Sequence, residues 1–199
     1  MQDCFGQPLK RVNAWVHADQ QTHGDIVITH YGLESGVVYK LGRELRNLNK
    51  QNQRLKLHLD LLPDVSLQQL QQKLQGNKKQ SLTNLWRKAG LDTVKINLLR
   101  EIVDKRFWSD AKQMAQQIKQ LAIDLDGFRP IEEAISCAGG VKQEALSAQL
   151  QLQSNPHVFC CGEMLDWDAP TGGYLLTACF ATGRAAGQGV HEFLESSSV

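Results

Sequence analysis

The chemistry in this sequence concentrates in one stretch near its end. It runs Val158-Phe159-Cys160-Cys161-Gly162-Glu163, then Met164-Leu165-Asp166-Trp167-Asp168-Ala169-Pro170, then Thr171-Gly172-Gly173-Tyr174 and a helix-like run rich in small residues. The apolar run predicts a buried strand ending at Gly162. This puts Glu163 outside a strand's carboxyl end, where open α/β sheets bind ligands, and its carboxylate could accept hydrogen bonds from sugar-like hydroxyls. Gly172 and Gly173 lack a Cβ, so a planar ligand can approach the backbone closely there. The N–H groups and positive dipole end of the following helix favour an electron-rich acceptor. A flavin meets these conditions, because hydride uptake places negative charge on its N1–C2 carbonyl edge. Residue types alone leave an equal alternative, a turn whose glycines satisfy left-handed geometry.

Other chemistry-bearing residues carry weaker patterns. Asp166 and Asp168 form a carboxylate pair on paper, but with Trp167 and Pro170 beside them they read as loop-shaping. Cys160 and Cys161, adjacent on a strand, should face opposite sides and act as apolar filler. The six histidines show no ligand spacing, so no metal site is expected. His30 and Tyr31 precede Ser35 and Gly36, which suggests either a small anion or substrate site or a helix cap with a packed ring beside it.

The elements that would position these residues can be read from periodicity. Val12–Val16 and Asp25–Thr29 predict paired antiparallel strands. Val37, Val38, Leu41, Leu45 and Leu48 predict a helix over 36–50 with Ser35 as its cap. The alternation from Leu55 to Leu61 predicts a strand, and Ser66 caps a short amphipathic helix over 67–75 despite its glutamines. From Ser81 to Gln120 three helices are expected, punctuated by Gly90 and by Trp108-Ser109-Asp110. The last third holds shorter apolar runs flanked by glycine, Leu121–Leu125, Ala134–Ala138 and Val158–Cys161, a pattern typical of α/β folds. Trp15, Trp86 and Trp108 read as core or interface residues.

Composition bounds what the chain can do. Among 199 residues, 22 Lys plus Arg face 21 Asp plus Glu, so net charge +1 supplies no field for nucleic acid or an anionic membrane. A local exception lies between Gly76 and Arg106, where Lys78, Lys79, Arg87, Lys88, Lys95, Arg100, Lys105 and Arg106 outnumber Asp92, Glu101 and Asp104 for a local +5. A helix–Gly90–helix arrangement there could mimic a helix-turn-helix, but no reading helix is identifiable, and a solvated basic face is the favoured explanation. No run approaches a membrane span. Five scattered cysteines behind no signal peptide point to free thiols in a reducing cytoplasm.

Several motifs together resemble one family. Ala134-Ile135-Ser136-Cys137-Ala138-Gly139-Gly140-Val141 and the stretch from Gly162 to Tyr174 resemble the C-terminal signature of bacterial NAD(P)/FAD-dependent oxidoreductases, the aminoacetone-oxidase-like flavoproteins. The resemblance extends upstream through Gly6-Gln7-Pro8-Leu9-Lys10, Ile28-Thr29-His30-Tyr31-Gly32-Leu33-Glu34, Leu59-Asp60-Leu61-Leu62-Pro63 and Arg129-Pro130-Ile131. It implies an α+β chain in two parts: an inserted module of strands and a small helical bundle over 1–128, then the returning C-terminal α/β segment of a Rossmann-like FAD-binding domain over 129–199. It also implies FAD contacts at Gly162 and Glu163 near the ribityl chain, and at Thr171, Gly172, Gly173 and Tyr174 near the flavin ring. Gly139, Gly140 and Val141 would face the cofactor from another loop, and Asp166 joins the same set.

The implied activity is FAD-mediated hydride transfer from a small organic substrate, with a nicotinamide as an optional partner. No G-x-G-x-x-G follows a strand, so the chain reads as the C-terminal portion of such a protein, without the ADP-binding βαβ unit. The expected partners are therefore a small-molecule substrate and either a second copy or a missing N-terminal half, since an exposed sheet edge invites pairing. The alternative is a non-catalytic remnant or an interaction module using the basic helices.

Overall fold

The computed structural model describes residues 2–75 and 80–197. The chain divides into two compact units, Met1–Gly127 and Phe128–Val199. Among the described residues no helix is long and apolar enough to cross a membrane.

The first unit is built on an antiparallel five-stranded sheet of order β3-β2-β1-β4-β5. Its strands are β1 (Pro8–Trp15), β2 (Thr22–Thr29), β3 (Gly32–Glu34), β4 (Leu55–Asp60) and β5 (Leu121–Leu125). On β4 the period-two pattern does what it should: Leu55, Leu57 and Leu59 are buried while Lys56 and His58 are half-exposed. Leu121–Leu125, grouped by sequence with the α/β-like runs of the last third, instead pairs antiparallel with β4, Leu59 opposite Leu121 and Leu55 opposite Leu125. β1 carries a bulge between Leu9 and Val12, where Arg11 sits at φ 52°. The Arg11 N–H donates to Asp25 Oδ1 at 2.8 Å and its guanidinium meets Asp64 at 2.6 Å.

Among the described residues six α-helices accompany this sheet: α1 (Gly36–Lys40), α2 (Gly42–Lys50), α3 (Leu67–Leu74), α4 (Leu82–Ala89), α5 (Thr93–Ile102) and α6 (Ala111–Lys119). The single helix expected over 36–50 is two. At Leu41 ψ falls to −2° and its N–H is shared between the Val37 and Val38 carbonyls, so the α1 turn tightens and α2 starts afresh at Gly42. Ser35 Oγ accepts from the Val37 and Val38 N–H groups, and Ser66 forms a reciprocal capping box with Gln69. Asp92 and Asp110 cap α5 and α6. α3 packs on α4 and α6. Leu70, Trp86, Leu99, Met114 and Ile118 join the leucines of β4 in one continuous core, and Trp86 meets Trp108 edge to face at 5.6 Å.

Two buried charged residues of this core, Asp60 and Lys95, serve the turn after β4. Asp60 is buried; its Oδ1 accepts the Leu62 N–H at 2.9 Å and its Oδ2 pairs with Lys119 Nζ at 2.6 Å. Lys119 also donates to the carbonyls of Leu62 and Val65, and Lys95, 5% exposed, donates to the Leu61 carbonyl at 2.7 Å. Burial lowers the Lys95 pKa below its ordinary value, against the opposing pull of Asp92. The basic segment noted in the sequence therefore loses Lys95 to the interior. Lys78 and Lys79 lie outside the described residues.

The second unit holds an antiparallel pair, β6 (Gln151–Leu152) and β7 (Asn155–Phe159), short 3₁₀ turns, and the long helix α7 (Tyr174–Ser197). Two expected strands are corrected here. Ala134–Ala138 forms none and is exposed throughout. The run Val158–Cys161 is not a buried strand: Val158 is 39% exposed, Cys160 is buried and Cys161 half-buried, because β7 has β6 as its one strand neighbour. The buried cluster is correspondingly small, Leu146, Cys160 and Leu165. Along α7, Ala186 and Gly189 are the buried residues, and a Cβ at Gly189 would come within 2.6 Å of the Gln149 carbonyl oxygen.

Two expectations concern the first unit. Replacing Asp60 with Ala leaves the half-buried Lys119 ammonium without its counter-charge and the Leu62 N–H without its acceptor, and should lower stability by about 2–3 kcal/mol in urea unfolding. For Lys95 the folded state releases its proton before the unfolded state does, so the unfolded chain binds more protons between the lowered pKa and the ordinary 10.5. Wild-type stability measured against Lys95→Met should therefore rise with pH through that window and stay flat below it.

Candidate functional site

The residues singled out from the sequence lie in three segments of the second unit, and backbone hydrogen bonds join two of them directly. Gly139 N–H donates to the Trp167 carbonyl at 2.9 Å, Val141 N–H to the Met164 carbonyl at 2.8 Å, and Asp166 N–H to the Val141 carbonyl at 2.9 Å. This ladder needs Gly140: at φ 145°, a Cβ there would run into the Met164 and Leu165 carbonyls. Val141 packs on the small core beside Leu165, so its side chain serves the scaffold. Asp166 contributes its backbone to the ladder while remaining exposed.

The third segment, Thr171 to Tyr174, leads into α7. Gly172 and Gly173 sit at φ 117° and 86°, and a Cβ built on Gly173 meets nothing within 4 Å, so its left-handed backbone faces open space. The Gly173 carbonyl accepts both the N–H and the hydroxyl of Thr177 at 3.0 Å, which makes it the first acceptor of the helix. The N–H groups of Tyr174, Leu175 and Leu176 then have no acceptor inside α7 and project from its positive end. Tyr174 is 64% exposed.

Side chains link α7 back to the strand-end turn. Gly162, at φ 71°, donates its N–H to Thr182 Oγ1 at 3.1 Å and accepts at its carbonyl from Trp167 Nε1 at 2.7 Å. Glu163 and Met164 follow in a 3₁₀ turn with both side chains exposed. Sequence reading gave the loop-shaping part to Asp166 and Asp168, with Trp167 and Pro170 beside them, and gave Thr182 no role. The Thr182–Gly162 pairing spans 20 residues and leaves no local signal.

The remaining candidates stand apart from this cluster. His30 and Tyr31 form the exposed turn between β2 and β3, ring against ring edge at 4.7 Å, and the Tyr31 hydroxyl donates to Glu34 Oε2 at 2.9 Å. That hydrogen bond is the main cause of a Tyr31 pKa above its ordinary value. Ser35 is engaged as the α1 cap. The first unit also holds an open cleft of about 400 Å³ with His17, Asp19, Glu44, Asn47 and Leu48 in its lining. Its predominantly polar walls do not suit a planar apolar ring. Among the described residues no group of three or more His, Cys, Asp or Glu could hold a metal ion.

Residues 1–136 match the family described as "HI0933-like protein barrel and H2TH domain". The chain is also 24% identical over 184 residues to a 3-dehydro-bile acid delta(4,6)-reductase of Clostridium scindens, a match covering 85% of this chain and 44% of that relative. The chain thus spans less than half the length of the curated relative it matches. The family match covers most of the chain, and the chain belongs to the HI0933-like family of FAD-dependent oxidoreductase-like proteins, the aminoacetone oxidase family.

Proposed function

We propose that this chain forms the flavin-ring and ribityl side of an FAD site in an oxidoreductase that exchanges a hydride between FAD and a small organic substrate. The observation that carries this reading is the left-handed Gly172–Gly173 turn at the positive end of a 24-residue helix, where Gly173 faces open space and Gly172 lies against the Tyr174 ring. The fit test rests on the same place. A side chain at Gly173 would occupy the space in front of the backbone, and glycine leaves that space to a ring. When bound, FAD would supply the redox chemistry. The chain's own residues have simpler tasks: the α7 N–H groups and dipole stabilise negative charge at the edge they face, and Glu163 accepts hydroxyl protons in hydrogen bonds. The Gly139–Val141 loop holds the Met164–Trp167 segment in register.

The finer points belong to the same proposal. The relative in Clostridium scindens is named as a bile acid reductase, which supports a small organic substrate; NAD(P)H as a source of reducing equivalents belongs to the same proposal. Five cysteines without a disulfide fit a reducing, cytoplasmic setting. Leu176, Phe180, Val190 and Leu194 form an exposed apolar stripe along α7. It supports contact with a second copy or with further polypeptide of an FAD-binding domain.

Two measurements test the reading. Purified chain incubated with FAD and gel-filtered should retain flavin absorbance, and Gly173→Asp, which fills the approach and adds negative charge, should weaken binding at least about tenfold. A chain that stays colourless, or a variant that binds as well as wild type, would remove the site from the Gly172–Gly173 turn. Solution scattering of the isolated chain should give a mass that rises with concentration, and a constant monomer mass would count against self-association.

A further inference from the structure

We infer that Thr182 and Trp167 are positioning residues that set the attitude of Glu163 toward vicinal hydroxyls such as those of a ribityl chain. The inference rests on the flavin reading above. Both polar groups of the Gly162 peptide unit are taken by side chains from elsewhere, the N–H by Thr182 Oγ1 at 3.1 Å and the carbonyl by Trp167 Nε1 at 2.7 Å. The Gly162 carbonyl also accepts the Leu165 N–H at 3.2 Å, which closes the turn. Buried Cys160 and Leu165 anchor the chain on either side. The backbone beneath Glu163 is thus clamped at every polar atom of the residue before it, while the Glu163 side chain is left exposed.

The Thr182 hydroxyl has a defined direction. Its proton goes to the Ala178 carbonyl at 2.8 Å, with the Cys179 carbonyl at 3.2 Å, so its oxygen is turned to accept from Gly162. A threonine bonded back to its own helix is slightly unfavourable there. The bond to Gly162 is what the helix gains in exchange. Thr182 lies nine residues beyond Gly173, about 13 Å along the axis at ~1.5 Å per residue. The open start of α7 and the clamp under Glu163 are therefore both carried on one helix.

The test compares two probes that differ in the polyol alone, riboflavin and lumiflavin, titrated by quenching of flavin fluorescence. Thr182→Val and Trp167→Phe should each weaken riboflavin about tenfold while leaving lumiflavin unchanged. Thr182→Ser should restore riboflavin binding. Glu163→Gln should weaken riboflavin similarly, and combining it with Thr182→Val should cost little more than either alone, because both act on one contact. Equal losses for both probes would make the clamp merely structural and overturn the inference while leaving the flavin reading intact. Unchanged riboflavin binding in Thr182→Val would do the same. Wild-type chain that binds neither probe would overturn the flavin reading and the inference together.

Discussion

The first unit depends on one buried ion pair. Asp60 ends β4 with its carboxylate out of water, and Lys119, the last residue of α6, neutralises it at 2.6 Å. The Asp60 charge does not tolerate burial alone, so the native strand end requires the half-buried ammonium at the end of α6 beside it. Beside this pair the Leu61 N–H donates to the Ile118 carbonyl, and β5 starts three residues after Ile118, at Leu121, aligned beside β4. Lys95 then fastens the same turn from α5. Two lysine ammonium groups hold three carbonyls of a five-residue turn, so a segment that would otherwise be a loose connection becomes the point where α5, α6 and the sheet meet.

The second unit works by a different rule. Its buried apolar cluster comprises three residues, too few to specify a fold by exclusion of water alone. Its order comes from backbone pairing, Gly139 with Trp167 and Val141 with Met164, and from side chains that satisfy a single peptide unit at Gly162. Polar pairing of this kind fixes geometry sharply while contributing modest net stability. That suits a surface whose task is to present N–H groups and a carboxylate in fixed positions.

How much of this was legible depended on whether the signal was local. β1, β2 and β4 showed in their alternation, and Ser35 and Ser66 in their placement ahead of apolar repeats, because strand pleat and helix cap are each written within a few residues. The break at Leu41 was not, since Val37, Val38, Leu41 and Leu45 keep helical spacing across it. Val158–Cys161 misled for a related reason: an apolar run reads as buried only if neighbours exist to bury it, and β7 pairs with β6 alone. At the candidate site the glycines and Glu163 stood out by type and motif. Thr182 did not, because a hydroxyl twenty residues downstream looks like any other small polar residue in a helix.

The sheet order of the first unit has a mechanical consequence. β1 and β5 flank β4 and run in the same direction, Asn13 lying opposite Asp60 and Leu125 opposite Leu55. Pro8 and Leu125 therefore stand at opposite ends of the sheet, roughly 30 Å apart along the strands at ~3.3 Å per residue. Tension applied through the two ends of the unit pulls β1 and β5 in opposite senses along their axes. Within each ladder the hydrogen bonds are then loaded side by side, in shear, rather than unzipped one by one, while the β1–β4 and β4–β5 ladders carry the load in series. Along its strands the sheet therefore resists extension in shear.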